Sequence, residues 1–171
     1  EQLLGFNGRS RKPQIALADQ YGFTDYAQPA GGCCFLTDAE YTKKLNDLWR
    51  TRGRRDYELD DILLLKVGRH IRPKEHFKLI VAREEGENNF LEGYRNQFTH
   101  LRSISHNGPL VLLDGDANQE DLHLAGQITA RFSQGRDAEQ VEIQVVKVDG
   151  EQQCFAVKPL PVHGVLQEWY I

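Results

Sequence analysis

Residues 141–148 alternate apolar and polar side chains, Asp149-Gly150 follows, and a second strand-like run returns over 154–157. Asp-Gly readily takes the positive-φ conformations of a type I′ turn, whose twist matches the strands on either side. This part of the chain is thereby committed to an antiparallel hairpin. Upstream, short apolar runs at 62–67, 77–82, 101–104 and 110–113 read as further strands, and 87–96 reads as a short helix. Asn118 is placed to cap a longer helix whose Leu122, Ala125, Thr129 and Phe132 fall on one side before Gly135 stops it.

The first third of the chain is different. A helix is expected from Ser10, as N-cap, through Ile15, Leu17 and Ala18 to a stop at Gly22. An irregular stretch then ends in Pro29-Ala30-Gly31-Gly32, a composition that lets backbone come close to a neighbour. Thr37 and Glu40 have capping-box spacing, and Tyr41, Leu45, Leu48 and Trp49 recur at helical intervals until Gly53. Thr51-Arg52-Gly53-Arg54-Arg55 reads as a basic linker. The expected organisation is α+β: a short helical N-terminal segment, residues 1–55, followed by a compact mixed α/β module, 56–171.

No apolar run approaches the roughly 20 residues that cross a bilayer, so no membrane association is expected. With 171 residues, 40% of them hydrophobic, the chain can bury one good core and an appendage. It begins at Glu1 and contains no methionine, which leads us to expect a fragment of a longer protein. Three cysteines, two of them adjacent, make no disulfide framework, and a reducing cytoplasm is the expected compartment. There is no CxxC and the six histidines are scattered, so no metal site is expected.

Net charge is −4, yet between residues 41 and 83 twelve Lys/Arg stand against six Asp/Glu. A local cationic surplus on an acidic background suits phosphate, and solvated faces would give the same count. The densest part is Gly68-Arg69-His70-Ile71-Arg72, read as a basic turn after a buried strand. Arginine forks hold phosphate bidentately and stack on bases. Arg69, His70 and Arg72 are therefore candidate RNA contacts, with Lys74 and Lys78 extending the surface. Arg83 either joins them or pairs with Glu87.

Cys33 and Cys34 sit in the glycine-rich turn just before the helix start at residue 37. A helix N-terminus lowers a thiol pKa, which suits a sulfur nucleophile or persulfide carrier. On the residues alone, two small apolar side chains packing a turn are the commoner case. The run Arg11-Lys12-Pro13-Gln14-Ile15-Ala16-Leu17-Ala18, followed by Pro29-Ala30-Gly31-Gly32-Cys33-Cys34-Phe35-Leu36-Thr37-Asp38, resembles a segment of PP-loop ATPases related to tRNA thiolases (thiouridylases). It is similar to the place where these enzymes carry their second catalytic cysteine. Matching Phe35-Leu36-Thr37-Asp38 to that motif's tail puts Cys34 on the catalytic position; matching the glycines would favour Cys33. The helix start is the firmer register, so Cys34 is preferred.

The resemblance implies that ATP adenylates a uridine carbonyl oxygen of tRNA and that a cysteine persulfide then delivers sulfur. It also implies a sulfur-donor protein. No Ser-Gly-Gly-x-Asp-Ser loop is present, so ATP and Mg are expected on a PP-loop domain upstream, and this chain alone should not act on ATP.

The second half resembles the RNA-binding module of NFACT proteins, in the type fused to PP-loop enzymes. The residues that carry this are Lys66-Val67-Gly68-Arg69-His70-Ile71-Arg72, Ile80-Val81-Ala82-Arg83 with Glu87-Asn88, Gly108-Pro109-Leu110-Val111-Leu112-Leu113, and Asp121-Leu122-His123-Leu124-Ala125-Gly126-Gln127-Ile128. The function implied is the C-terminal part of a tRNA-thiolating enzyme. The rival expectations are a non-catalytic RNA or ribosome adaptor and a module that docks the ATPase to its sulfur donor.

Overall fold

The computed structural model describes residues 5, 11–25 and 38–171. Two compact units are present, Glu1–Cys34 and Phe35–Ile171. In the first, α1 (Lys12–Gln20) has a proline in its opening turn, buries no residue, and is followed by its C-cap Tyr21 and by Gly22 with φ +71°. Arg11 stands at its N-cap without a side-chain cap bond, and the expected cap Ser10 lies outside the described residues.

The second unit is an α+β fold. Its sheet has six strands, all antiparallel, in the order β1-β2-β4-β3-β5-β6: β1 (Arg69–Lys74), β2 (Phe77–Val81), β3 (Thr99–Ser103), β4 (Val111–Gly115), β5 (Val141–Val146) and β6 (Gln152–Val157). The hairpin legible at Asp149-Gly150 joins β5 to β6, with Gly150 at φ +87°. On one face, α5 (Gln119–Arg131) lays Leu122, Ala125 and Ile128 against Ile71, Leu79, Leu101, Val111 and Ile143. Asn118 caps this helix as expected, accepting from Asp121 N at 3.0 Å.

On the other face, α3 (Leu59–Leu64) and α4 (Glu85–Glu92) cover the strands at the β1 end, where Leu64, Leu91 and Tyr94 pack on Ile80 and Leu112. Preceding them, α2 (Ala39–Arg52) buries Tyr41, Leu45 and Leu48 with Leu65. Its cap is Asp38, whose carboxylate accepts from the backbone of Glu40 at 2.8 Å and Tyr41 at 3.1 Å; the cap expected at Thr37 lies outside the described residues. Thr51 and Arg52, expected in a linker, form the last turn of α2, and Gly53 is its C-cap.

Two expectations are corrected. The run 62–67 is not a strand: α3 starts at Leu59, Asp61 accepts from Glu58 N at 2.7 Å, and Leu64 and Leu65 fall on different sides. A short continuous apolar run fits a buried strand or a buried helix equally well, and the acidic first turn decides here. The basic turn at 69–72 is instead the edge strand β1. Pro73 is tolerated there because the register shifts between Ile71 and Lys74.

Candidate nucleic-acid interface

Because β1 is a strand, its side chains alternate between faces. Arg69 shares a face with Ile71, while His70 lies opposite, over α3. The six cations expected at one surface therefore separate. His70 is 2% exposed, with Nε2 3.1 Å from the carbonyls of Leu64 and Val67. Carbonyls only accept, so Nε2 carries the proton. Burial, with Lys78 and Lys44 nearby, holds this imidazole well below its usual range, and it is a neutral internal brace. Lys78, 3% exposed, pairs with Asp114. Arg72 is held bidentately by Asp47 at 2.7 and 2.8 Å, with its side chain 9% exposed. Lys74, at the far end of β1, donates to the buried carboxylate of Asp121 at 2.5 Å. Burial and internal pairing thus occupy His70, Arg72 and Lys78, three of the residues expected at the RNA surface.

Arg69 and Arg83 do meet. Both line a cleft of about 420 Å³ at the end of the sheet where β1 begins, β2 ends and α5 stops. Arg131 and Arg136 line it too. The Arg69 guanidinium lies 5.3 Å over the Phe132 ring, which orients it without neutralising it. Neither Arg69, Arg131 nor Arg136 has an ion pair among the described residues. Arg83 pairs with Glu87 yet keeps half its side chain in solvent. The acids of the cleft, Glu84 and Glu85, stand on the α4 side at that helix's N-terminus. On their other side Arg69 and Arg83 border a separate cleft of about 660 Å³, with Lys44, His163 and Tyr170.

Glu87 holds this corner together. Its carboxylate accepts from Gly68 N at 3.1 Å, from Arg83 N at 2.7 Å, and from the Arg83 guanidinium. Burial pushes the carboxyl up, but Arg83 and the two backbone N–H groups outweigh it and bring the pKa to about 2. Gly68, at φ +73°, is required here: a Cβ would meet Val81 O at 2.8 Å.

Free guanidiniums converging on an open cleft are suited to phosphate oxygens. Residues 68–170 match the family model of the NFACT protein RNA binding domain, NFACT-R_2. The chain belongs to that family. It therefore carries an NFACT-type RNA-binding domain over residues 68–170. No curated protein matches the chain. Among solved structures, the C-terminal part of the fibronectin/fibrinogen-binding protein from Streptococcus suis is similar, with a TM-score of 0.52 and 16% identity. That match covers 78% of this chain and 61% of the other, so it spans less than two thirds of that structure, and it speaks for the fold alone.

Arg131 and Arg136 were missed in the sequence because they belong to its acidic half. The signal was local: two arginines bracketing Phe132 at the C-terminal end of the capped helix.

Proposed function

We propose that this module holds the sugar-phosphate backbone of RNA in the cleft formed by Arg69, Arg83, Arg131 and Arg136. The observation that carries this reading is the set of three guanidiniums without ion pairs among the described residues, facing one cleft in an RNA-binding domain. Each fork that contacts phosphate displaces condensed counterions, so affinity falls with salt. Replacing Arg69 and Arg136 together with alanine should weaken binding of a fluorescent RNA roughly tenfold at low salt and flatten the log–log salt slope by about 1.5. Arg72→Ala is the contrasting variant: it breaks the pair with Asp47, so it should lower stability while leaving the salt slope unchanged. Anisotropy titrations in which the arginine double variant keeps its affinity and slope would move the RNA surface elsewhere.

The cysteine segment supports a narrower reading, in which the RNA is tRNA and the module presents it to a sulfur-transfer enzyme of which this chain is one part. Cys34, with Cys33 beside it, lies outside the described residues and precedes the helix whose cap is Asp38. In this reading Cys34 carries a persulfide loaded by a sulfur-donor protein. ATP and Mg belong to a PP-loop domain elsewhere in the protein, and the reducing cytoplasm keeps the thiol available. Cys34→Ser in the full-length protein should abolish tRNA thiouridine, measured by nucleoside mass spectrometry, without changing RNA affinity. Retained thiouridine with the serine variant would leave the adaptor reading, in which the domain binds RNA without catalysis.

A further inference from the structure

The arginine cleft does not end at the arginines. Asn88, Asn107, Gly108 and Gln134 line it and also line a second cleft of about 540 Å³ beyond the β3–β4 connection. That volume is in the range of roughly 300–1,000 Å³ typical of ligand sites. The two clefts meet at Gly108, where a Cβ would come within 2.7 Å of Ser133 Cβ, so the connection there presses directly on the end of α5.

The second cleft is chemically unlike the first. Its walls carry amides and hydroxyls beside Ile104, His106 and Leu110, with Arg102 as a flank and one acid, Glu92, which is paired to Arg95. The connection is braced internally: Gln134 N donates to Asn107 O at 2.7 Å, His106 N to Ser103 Oγ at 3.1 Å, and Leu110 N to Asn88 Oδ1 at 2.7 Å. The exposed side-chain amides of Asn107 and Gln134 have no hydrogen-bond partner among the described residues. Arg102 Nε donates to Gln144 Oε1 at 3.0 Å, and Gln144 Nε2 to Gln152 Oε1 at 3.3 Å, a chain of side chains running across β3, β5 and β6. These bonds hold the Arg102 guanidinium to the open face of the sheet, a planar surface on which a base can stack. An amide offers a donor and an acceptor side by side, the pairing that reads base edges.

We propose that this second cleft is a base-reading subsite for single-stranded RNA. The backbone crosses from the arginine cleft over Gly108, and one unpaired base lies on Arg102 with its edge hydrogen-bonded by Asn107 and Gln134. The inference rests on the arginine cleft holding the backbone. A base locked in a helix cannot enter, so the subsite selects loops, ends and unpaired stretches over duplex.

The test uses the whole 171-residue chain and two fluorescent probes of equal length, one single-stranded RNA of mixed sequence and one blunt RNA duplex. The wild type is expected to prefer the single strand by tenfold or more. Asn107→Ala/Gln134→Ala, and separately Arg102→Lys, should reduce that preference to within about threefold while the salt slope stays as in the wild type. All three residues are exposed, and unchanged thermal midpoints will show the variants folded. Equal affinity of the wild type for both probes, or a preference that survives both variants, overturns the base subsite and leaves the arginine cleft standing. A salt slope that Arg69→Ala/Arg136→Ala does not alter, with single-strand preference still sensitive to Asn107 and Gln134, would refute the arginine cleft alone. Failure to bind either probe overturns both.

Discussion

Glu87→Ala should lower the unfolding free energy by about 3 kcal/mol, a fall of roughly 10 °C in the thermal midpoint. The carboxylate satisfies Gly68 N and Arg83 N, and Gly68 is buried where its amide has no other partner among the described residues. Alanine leaves these donors unpaired, each costing about 1–3 kcal/mol, and frees the Arg83 guanidinium as well. Glutamine keeps an acceptor and loses the charge, so Glu87→Gln should fall between the two. Urea denaturation reads all three proteins. A loss below about 1 kcal/mol for the alanine variant would mean that water or a backbone shift satisfies Gly68, and the bracing role of Glu87 would be discarded.

The second large effect is expected at Asp121, on the opposite end of β1. This buried carboxylate accepts from Lys74 Nζ at 2.5 Å, His76 Nε2 at 2.9 Å and Asn118 N at 3.1 Å, so it ties the β1–β2 hairpin to the first turn of α5. Asp121→Ala removes half of a capping box, worth about 1 kcal/mol, together with two charge-assisted bonds, for a total of about 2–3 kcal/mol. Burial raises the Asp121 carboxyl, but Lys74, His76 and the Asn118 amide prevail and bring it to about 2. Both Asp121 and Glu87 are thus more acidic folded than unfolded. Their contribution is complete above about pH 4.5 and is lost as pH falls towards about 2, because the unfolded chain takes up the proton first. The wild type should lose stability steeply across that window. Glu87→Gln/Asp121→Asn should start lower at pH 7 and run flatter below 4.5. Parallel curves for the two proteins would assign acid sensitivity to other groups.

Local patterns predicted most of the sheet. The β5–β6 hairpin follows from alternation and Asp149-Gly150, α5 from Asn118 and its apolar stripe, and β2 and β4 from short apolar runs. What failed was local ambiguity. The apolar run after Asp61 fits a buried strand or a buried helix when read without the acidic turn before it, and β1 was hidden because Arg69, His70, Arg72, Pro73 and Lys74 do not look like a strand. Such a composition is tolerable only at an edge, where a bulge accepts the proline and acids from other elements neutralise the cations.

Turn chemistry and side-chain periodicity act over a few residues, so the α+β class, the principal strands and caps, and the resemblance to an NFACT RNA-binding module were legible along the chain. Which cations keep no acidic partner depends on how the chain folds. Arg72 is consumed by Asp47, 25 residues away, and Lys74 by Asp121, 47 residues away, whereas Arg131 and Arg136, from the acidic half, are brought beside Arg69 with no acid paired to them among the described residues. Ion pairing depends on distance in space, and a count of charges along the chain does not contain that distance.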